Sequence, residues 1–511
     1  MNIFLLYPTQ LFSNIDKLLN KKIYLLEDPI YFDSYKFHKL KLAYHRSTMK
    51  SYYDKLNDKI IKKKKLDITY INFDEIKKNN FYEKIKNEIE KLNKNKKENK
   101  NNIQIEMYEV YDNKLMKKCK KYFKQIIIHE SLNFLVNKDF LDENKTLFYK
   151  NNHYNHNEFY KMQRRKLDIL MNNDDTPKGG KWSFDIENRE KIGENVKIPN
   201  ILDLKLNNSL KNNKYIIEAK EYIETHILFS KNYGSLDNFI YPINHNDTKK
   251  WLDFFCKNKF EKFGIYEDAE TMREPFLFHS ILSPMMNIGL ITDKEVLQFI
   301  KKYENKIKIS SYEGFIRQII GWRNYVLCIY IYEGEKIRKM NFMNHNNKIN
   351  NNIIWEGKTN ILPFDNLISK IKKYGYAHHI ERLMYLGNFL FLCQIKPNDV
   401  YKSFMEWTID SYDWVMVPNV YCMSQYSDGG LMMKKPYFSS YNYILKMSDY
   451  KKEKWCDIWF VLYYNFINTH QNYLKKNYGT AMQVKNWLKK TKKEQEEIIY
   501  QANNYLDSIL N

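Results

Sequence analysis

Four short apolar runs punctuate the first third of the chain, at residues 3–6, 23–26, 66–71 and 103–108. Each is long enough for one buried strand and too short for an ordinary helix. Between them lie lysine-rich amphipathic segments such as 82–92, which carry the helical period. Strands alternating with helices predict a doubly wound α/β domain over residues 1–150. Residues 94–102 are a low-complexity run of Lys and Asn and read as a solvated loop insertion. Residues 151–199 are polar and rich in Gly, Pro and Asn, so 151–234 is expected to connect two domains. From about Ser235 the pattern is long and helical, broken by a second polar insertion at 344–352. An all-α domain over 235–511 is the expectation.

Charge adds a direction to this picture. The 511 residues include 83 Lys+Arg against 61 Asp+Glu, a net charge of +22. That excess favours a polyanionic partner, since neutralising phosphates releases counterions. Lys, Asn, Ile and Tyr are all over-used in the manner of an AT-rich coding sequence, so the charge supports nucleic acid without deciding for it. No apolar run approaches the roughly 20 residues that span a bilayer. The opening run also lacks the basic flank and length of a signal peptide. Six cysteines (Cys119, Cys256, Cys328, Cys393, Cys422, Cys456) are scattered with no Cys-x-x-Cys spacing. Neither a disulfide framework nor a zinc knuckle is suggested, and a reduced intracellular protein without membrane attachment is expected. A monomer is the expectation for its assembly.

The candidate chemistry centres on Tyr374-Gly375-Tyr376-Ala377-His378-His379-Ile380-Glu381-Arg382-Leu383-Met384. Two adjacent histidines fall in what reads as a buried helix, with Leu383, Leu386, Phe389 and Leu390 at helical spacing and Gly375 just before its first turn. Neighbouring helical side chains point about 100° apart, so this pair is not expected to chelate one metal. It can line one pocket with a proton donor and the group that orients it. The plainer alternative is one core histidine and one surface histidine. Upstream, His279-Ser280-Ile281-Leu282-Ser283-Pro284 forms a turn entering a helix, whose hydroxyls and free N–H groups suit a diphosphate. Glu313, Arg317, Gln318, Trp322 and Arg323 share one amphipathic helix, with Arg317 poised for a phosphate or a carboxylate and Trp322 as a wall.

These segments recur in order with Ile409-Asp410-Ser411-Tyr412-Asp413-Trp414-Val415, Pro418-Asn419, Met423-Ser424-Gln425-Tyr426-Ser427-Asp428-Gly429-Gly430, Lys435-Pro436-Tyr437 and Met447-Ser448-Asp449-Tyr450. A weaker stretch precedes them, from Lys178-Gly179-Gly180-Lys181-Trp182 to Asp185 and Glu187-Asn188-Arg189. Together they resemble the prokaryotic (6-4) photolyases, the iron–sulfur branch of the cryptochrome/photolyase family. The resemblance is dense from Tyr266 to Tyr450. It implies an α/β antenna-type domain followed by a helical FAD-binding domain, and light-driven repair of UV-damaged DNA. Implied FAD contacts are Tyr266, Ser280, Leu282, Ser283, Arg317, Gln318, Trp322, Asp410 and Asn419. His379 is the expected acid with His378 beside it, and Tyr437 and Tyr443 line the lesion pocket. Trp355 and Tyr412 belong to the family's electron path, and Lys181, Arg189, Lys434 and Lys435 are candidate phosphate contacts.

The chain departs from that family in three places. Its four cluster cysteines fall at Pro363, Lys451, Lys454 and close to Cys456, so no iron–sulfur cluster is expected, since one needs four thiolates. Trp455, Trp459 and Phe460 are expected to fill the space. The near tryptophan and adjoining tyrosine of the electron path read Ser403 and Phe404, with Trp407 and Trp414 as nearby substitutes. The opening Gly-Asp-Gln-Leu reads Pro8-Thr9-Gln10-Leu11, although His38, Lys41, His45 and Met49 keep the look of the helix that follows. A ribolumazine antenna is therefore left open. A cryptochrome-type photoreceptor and a catalytically silent DNA-binding remnant are the competing functions.

Overall fold

The computed structural model describes residues 2–510, other than 59, 62, 63, 79, 95–101 and 205. The low-complexity insertion at 94–102 thus lies almost wholly outside the described residues. A five-stranded parallel sheet organises the first part, from β1 (Ile3–Leu6), β2 (Lys22–Leu26), β3 (Asp67–Ile71), β4 (Ile105–Tyr108) and β5 (Ile126–His129), in the order β3-β2-β1-β4-β5. Helices cover the sheet, so β1 is buried along its whole length and reads as an uninterrupted apolar run. Four strands begin within two residues of the apolar runs in the sequence. The fifth, β5, was not anticipated. It is an edge strand whose Ile127 and Ile128 remain over one-third exposed, and its short apolar run follows directly on a lysine-rich helix.

The strand order reverses between β1 and β4, and a narrow cleft opens there. Thr9, Tyr31, Asp112, Asn133, Tyr412 and Trp414 are among its lining residues.

Most of the remaining chain is helical. The stretch read as a connector contains three helices of its own, His156–Leu167, Leu206–Lys211 and Lys214–Thr225. The last of them packs along Lys39–Asn57, the long helix that follows β2. That long helix fastens the sheet to the helical region through buried polar groups. His38 accepts at Nδ1 from the Leu40 N–H (3.1 Å), leaving Nε2 to donate to the Ile371 carbonyl at 3.1 Å. Lys41 donates to the Ser411 carbonyl, and burial pulls its amine down to about 7. His45 Nε2 meets the Tyr412 hydroxyl at 2.7 Å. Arg46 binds Glu27 at 3.0 Å and Glu218 at 2.6 Å. Gly234, at φ +75°, lies so close that an added Cβ would stand 1.8 Å from His38 Nε2.

Where the sequence leaves the cluster positions without thiols, the structure packs rings. Phe364, next to Pro363, lies 4.4 Å from Phe389, which lies 6.2 Å from Trp459. Trp455 and Trp459 are buried, and Trp455 meets Tyr441 and Tyr450 edge-on. Phe460 does not join them. It turns outward against Tyr464 and Lys490.

Candidate functional site

Helix Leu362–Tyr374 starts with Pro363 in its first turn and stops at Gly375, whose φ of +60° lets its N–H cap the Ile371 carbonyl. Gly375 therefore ends one helix instead of preceding the next. His378 also differs from expectation. It lies in the extended link between the helices, and the new helix begins at His379 and runs on as the π-helical turn Glu381–Gly387. The Glu381 side chain accepts from the His378 N–H at 2.8 Å, which fixes this helix start. Lys370 neutralises Glu381 from the preceding helix at 2.6 Å.

Because only His379 is helical, the two histidines face different surroundings. His378 is fully buried, and its Nε2 abuts the Glu270 carboxylate off the hydrogen-bond axis. Its ring stacks on His279 with centroids 4.2 Å apart and planes 17° apart. Burial pushes His378 down to about 3 and Glu270 up to about 8, so both are neutral at pH 7. The side chain of His379 is 42% exposed and lies 3.5 Å from Asp268. Burial lowers its pKa, but Asp268 and Glu267 outweigh this and hold it above its ordinary value.

The plain alternative of one core and one surface histidine is thus correct about burial, but each has a carboxyl partner. His279, His378 and His379 place nitrogens within 4.8 Å of one another, and Glu270, His378 and Glu381 form a second such group. The link geometry thereby removes the helical argument against chelation. The His279 and His378 rings are nevertheless nearly parallel, so their in-plane lone pairs run side by side instead of converging on an ion.

The loop leading to Ser283 is held in a costly conformation. Leu277 and Ile281 have φ of +37° and +53°, a region disfavoured for side chains with a Cβ and most of all for β-branched ones. Lys259 donates to the Leu277 carbonyl at 2.5 Å, and Trp251 Nε1 to that of Ser280 at 2.8 Å. Leu282 caps the short helix Ser283–Asn287 without a side-chain bond. The Ser283 hydroxyl instead donates to Asp410, and Arg382 takes the other Asp410 oxygen at 2.6 Å. Asn287 holds the Asp410 carbonyl at 2.8 Å. Ser283 and Asp410, far apart in sequence, are therefore brought together.

Arg317 is committed to carboxylates, lying 3.2 Å from Asp185, 3.4 Å from Glu267 and 3.5 Å from Glu313. Gln318 joins the group by donating to Glu267 at 2.5 Å. Trp322 stacks on His156 at 3.8 Å, and Tyr266 on Phe278 at 5.3 Å. Asn419 donates back to the Val415 carbonyl within its own helix. Tyr437 and Tyr443 are half-buried, and charges of Asp185 and Arg189 act on both. Arg189 pairs with Asp185, and Lys181 with Glu187 at 3.0 Å, while Lys434 and Lys435 are exposed. Trp355 lies 5.1 Å from Trp407 and 4.8 Å from Tyr233. Tyr412 belongs to a different group with His45 and Tyr31, and Trp414 packs on Phe134.

Sequence reasoning missed His279, Glu270, Glu381 and Arg382 as members of this site. A signal was present, because Glu267-Asp268-Ala269-Glu270 sets three carboxylates just before an apolar loop. Arg382 follows His379 at helical spacing in the same motif.

The parallel sheet followed by a helical region has the fold of solved photolyases. The structure aligns with a bacterial class III photolyase from Agrobacterium tumefaciens at a TM-score of 0.56, covering 99% of this chain and 98% of that one at 13% identity. It aligns with an archaeal photolyase from Sulfolobus tokodaii, solved with two FAD molecules, at 0.53 and 12% identity, covering 100% of each chain. The family model for deoxyribodipyrimidine photo-lyase-related proteins matches residues 4–241. Over 347 residues the sequence is 35% identical to a (6-4) photolyase of Agrobacterium fabrum (strain C58 / ATCC 33970), spanning 64% of this chain and 65% of that protein. The chain is a photolyase-related protein.

Proposed function

We propose that this protein is a light-driven, FAD-dependent enzyme that reverses (6-4) pyrimidine photoproducts in DNA. The observation that carries the reading is the opposite setting of the two adjacent histidines. Environments that push paired titratable groups apart assign acid and base roles. His379 retains its proton nearer neutral pH and is exposed enough for an extruded nucleotide to reach. His378 is neutral and is held in place by Glu270, Glu381 and the His279 stack.

The residues present fit a flavin on the evidence of unpaired buried atoms and an over-determined backbone. His279 Nε2 and Arg323 Nη2 are buried without partners, and a strained loop persists only where its surroundings hold it. Ser283, Asp410, Arg382 and Asn287 form the frame on which FAD would rest, with Tyr266, Ser280, Leu282, Arg317, Gln318, Trp322 and Asn419 as the remaining candidate contacts. When bound and reduced, FAD supplies the photoexcited electron. The chain's own part is to admit the flipped base between Tyr437 and Tyr443 and to present the His379 proton at Nδ1, Nε2 being turned to Asp268. Damaged bases cost less to extrude, which favours lesion over intact DNA.

The aromatic packing of Phe364, Phe389, Trp455 and Trp459 supports a helical region built without an iron–sulfur cluster. Iron and sulfide measured in the purified protein test that inference, and stoichiometric amounts of both would overturn it. Function is tested by illuminating the reduced, FAD-loaded protein with a (6-4) oligonucleotide and assaying restored pyrimidines. Repair that His379→Ala abolishes supports the reading. Flavin binding without repair would favour a photoreceptor, and lesion binding without flavin a silent remnant.

A further inference from the structure

The chain from within helix Lys454–Leu474 to the first turn of helix Lys492–Leu510 carries an uninterrupted basic pattern. Between Asp457 and Glu494 there is no acidic residue, yet Lys475, Lys476, Lys485, Lys489, Lys490, Lys492 and Lys493 all fall there. None of these seven is ion-paired among the described residues, whereas lysines elsewhere commonly are. At the front of this surface, the turn between helices Lys454–Leu474 and Ala481–Leu488 presents Tyr478 at full exposure. A tyrosine left wholly in water among unpaired lysines has the composition of a nucleic-acid surface, in which phosphates meet cations and rings meet bases.

The turn is fixed to the lesion-side segment. Asn477 donates to the Lys434 carbonyl at 3.0 Å, and Gly479 packs so tightly on Lys435 that a Cβ would lie 2.6 Å from its Cδ. Thr480 closes the turn by donating to the Leu474 carbonyl at 2.8 Å. Helix Lys454–Leu474 also holds the Ser439 carbonyl through Trp459 Nε1 at 2.9 Å, two residues beyond Tyr437. Lys434, Lys435, Lys475, Lys476 and Tyr478 are therefore held on one frame that continues into the proposed lesion pocket.

Resting on the DNA-repair reading, we infer that this surface is a track for the DNA backbone flanking the lesion, and that Tyr478 stacks on a base or deoxyribose exposed when the damaged nucleotide leaves the duplex. The lysines bind any DNA. Tyr478 acts only on DNA that is opened.

The test is fluorescence anisotropy of the full-length protein with intact and (6-4) duplexes across a KCl series. Lys475→Ala with Lys476→Ala is expected to flatten the slope of log affinity against log salt by about 1–2 on both duplexes. Tyr478→Ala is expected to leave that slope unchanged and to weaken binding of the lesion duplex by roughly tenfold, with little effect on intact DNA. Unchanged circular dichroism and melting temperature confirm that the variants are folded. Unaltered slope and affinity in both variants would overturn the track while leaving photorepair standing. A protein that repairs nothing but shows the expected slope change would retain the track and lose the repair reading. Lysine-dependent binding to vesicles of anionic phospholipid, without binding to duplex, would overturn the track in favour of a membrane surface.

Discussion

The seam between the sheet and the helical region and the histidine pocket are built from the same residue types, yet they treat buried polar atoms differently. At the seam His38 uses both ring nitrogens, Lys41 finds a carbonyl and Arg46 is shared by two glutamates. In the pocket both His378 nitrogens, His279 Nε2 and Glu270 Oε1 lack hydrogen-bond partners, whereas along the long helix at the seam only His45 Nδ1 and the Tyr44 hydroxyl do. An unsatisfied buried group costs about 1–3 kcal/mol, so the pocket, with more of them in one place, gains more from a bound ligand than the seam would. The contrast teaches that burial of a histidine says little about its role. What matters is whether its lone pairs and protons are already spoken for.

The comparison is most sharply tested by removing one group from each side. His379→Ala is expected to lower light-driven repair by about 10²–10⁴-fold, the range of a general acid. Its melting temperature should stay within a degree or two of the wild type, because the pair with Asp268 is half-exposed and worth less than about 1 kcal/mol. A large loss of stability would make His379 structural and break the contrast. Gly234→Ala should do the reverse, losing about 1–3 kcal/mol in urea unfolding through strain at positive φ, with more from its overlap with His38. Repair by the fraction that remains folded should persist.

A smaller effect is expected at Glu270. Its carboxyl is protonated at pH 7, so Glu270→Gln keeps both shape and donor, and repair should fall less than tenfold there. Wild type and variant should diverge above about pH 8, where the wild-type carboxyl ionises and the amide cannot. Profiles that run parallel from pH 6 to 9 would show that Glu270 does not touch the chemistry.

In pH dependence His379 and the seam histidines differ in sign. His379 is held above 6.5, so repair and its share of stability are complete below 6.5 and decline as pH rises through the folded value. His38 and His45 are buried neutral, with burial pushing them to about 4 and about 3. In the unfolded chain they take up protons near 6.5 and in the folded chain they resist, so stability should fall as pH drops below about 6.5. Each contributes up to about 1.4 kcal/mol per pH unit until its folded value is reached. Melting temperatures between pH 4 and 9 measure this slope, and repair rates over the upper part of that range measure the His379 titration. A melting temperature constant from pH 6.5 to 4 would contradict the neutral seam.

Four of the five sheet strands, the helical character of the remainder and the segments that frame the site were legible in the chain, because burial leaves a local hydrophobic period. So was the tie to photolyases, carried by motifs in register from Tyr266 to Tyr450 and borne out by the family match and the 35% identity. The fifth strand was not legible, since its three-residue apolar run follows directly on a lysine-rich helix and is too short to show a strand of its own. Nor was the start of the His379 helix, which depends on where Gly375 ends the one before. Tertiary structure alone decided that Ser283 and Arg382 meet on Asp410 and that His279 stacks on His378. It also pushed the pKa values of neighbouring histidines in opposite directions. Each of these depends on residues tens to more than a hundred positions apart, and a pKa is set by the partners and water that folding supplies, which no local pattern in the sequence encodes.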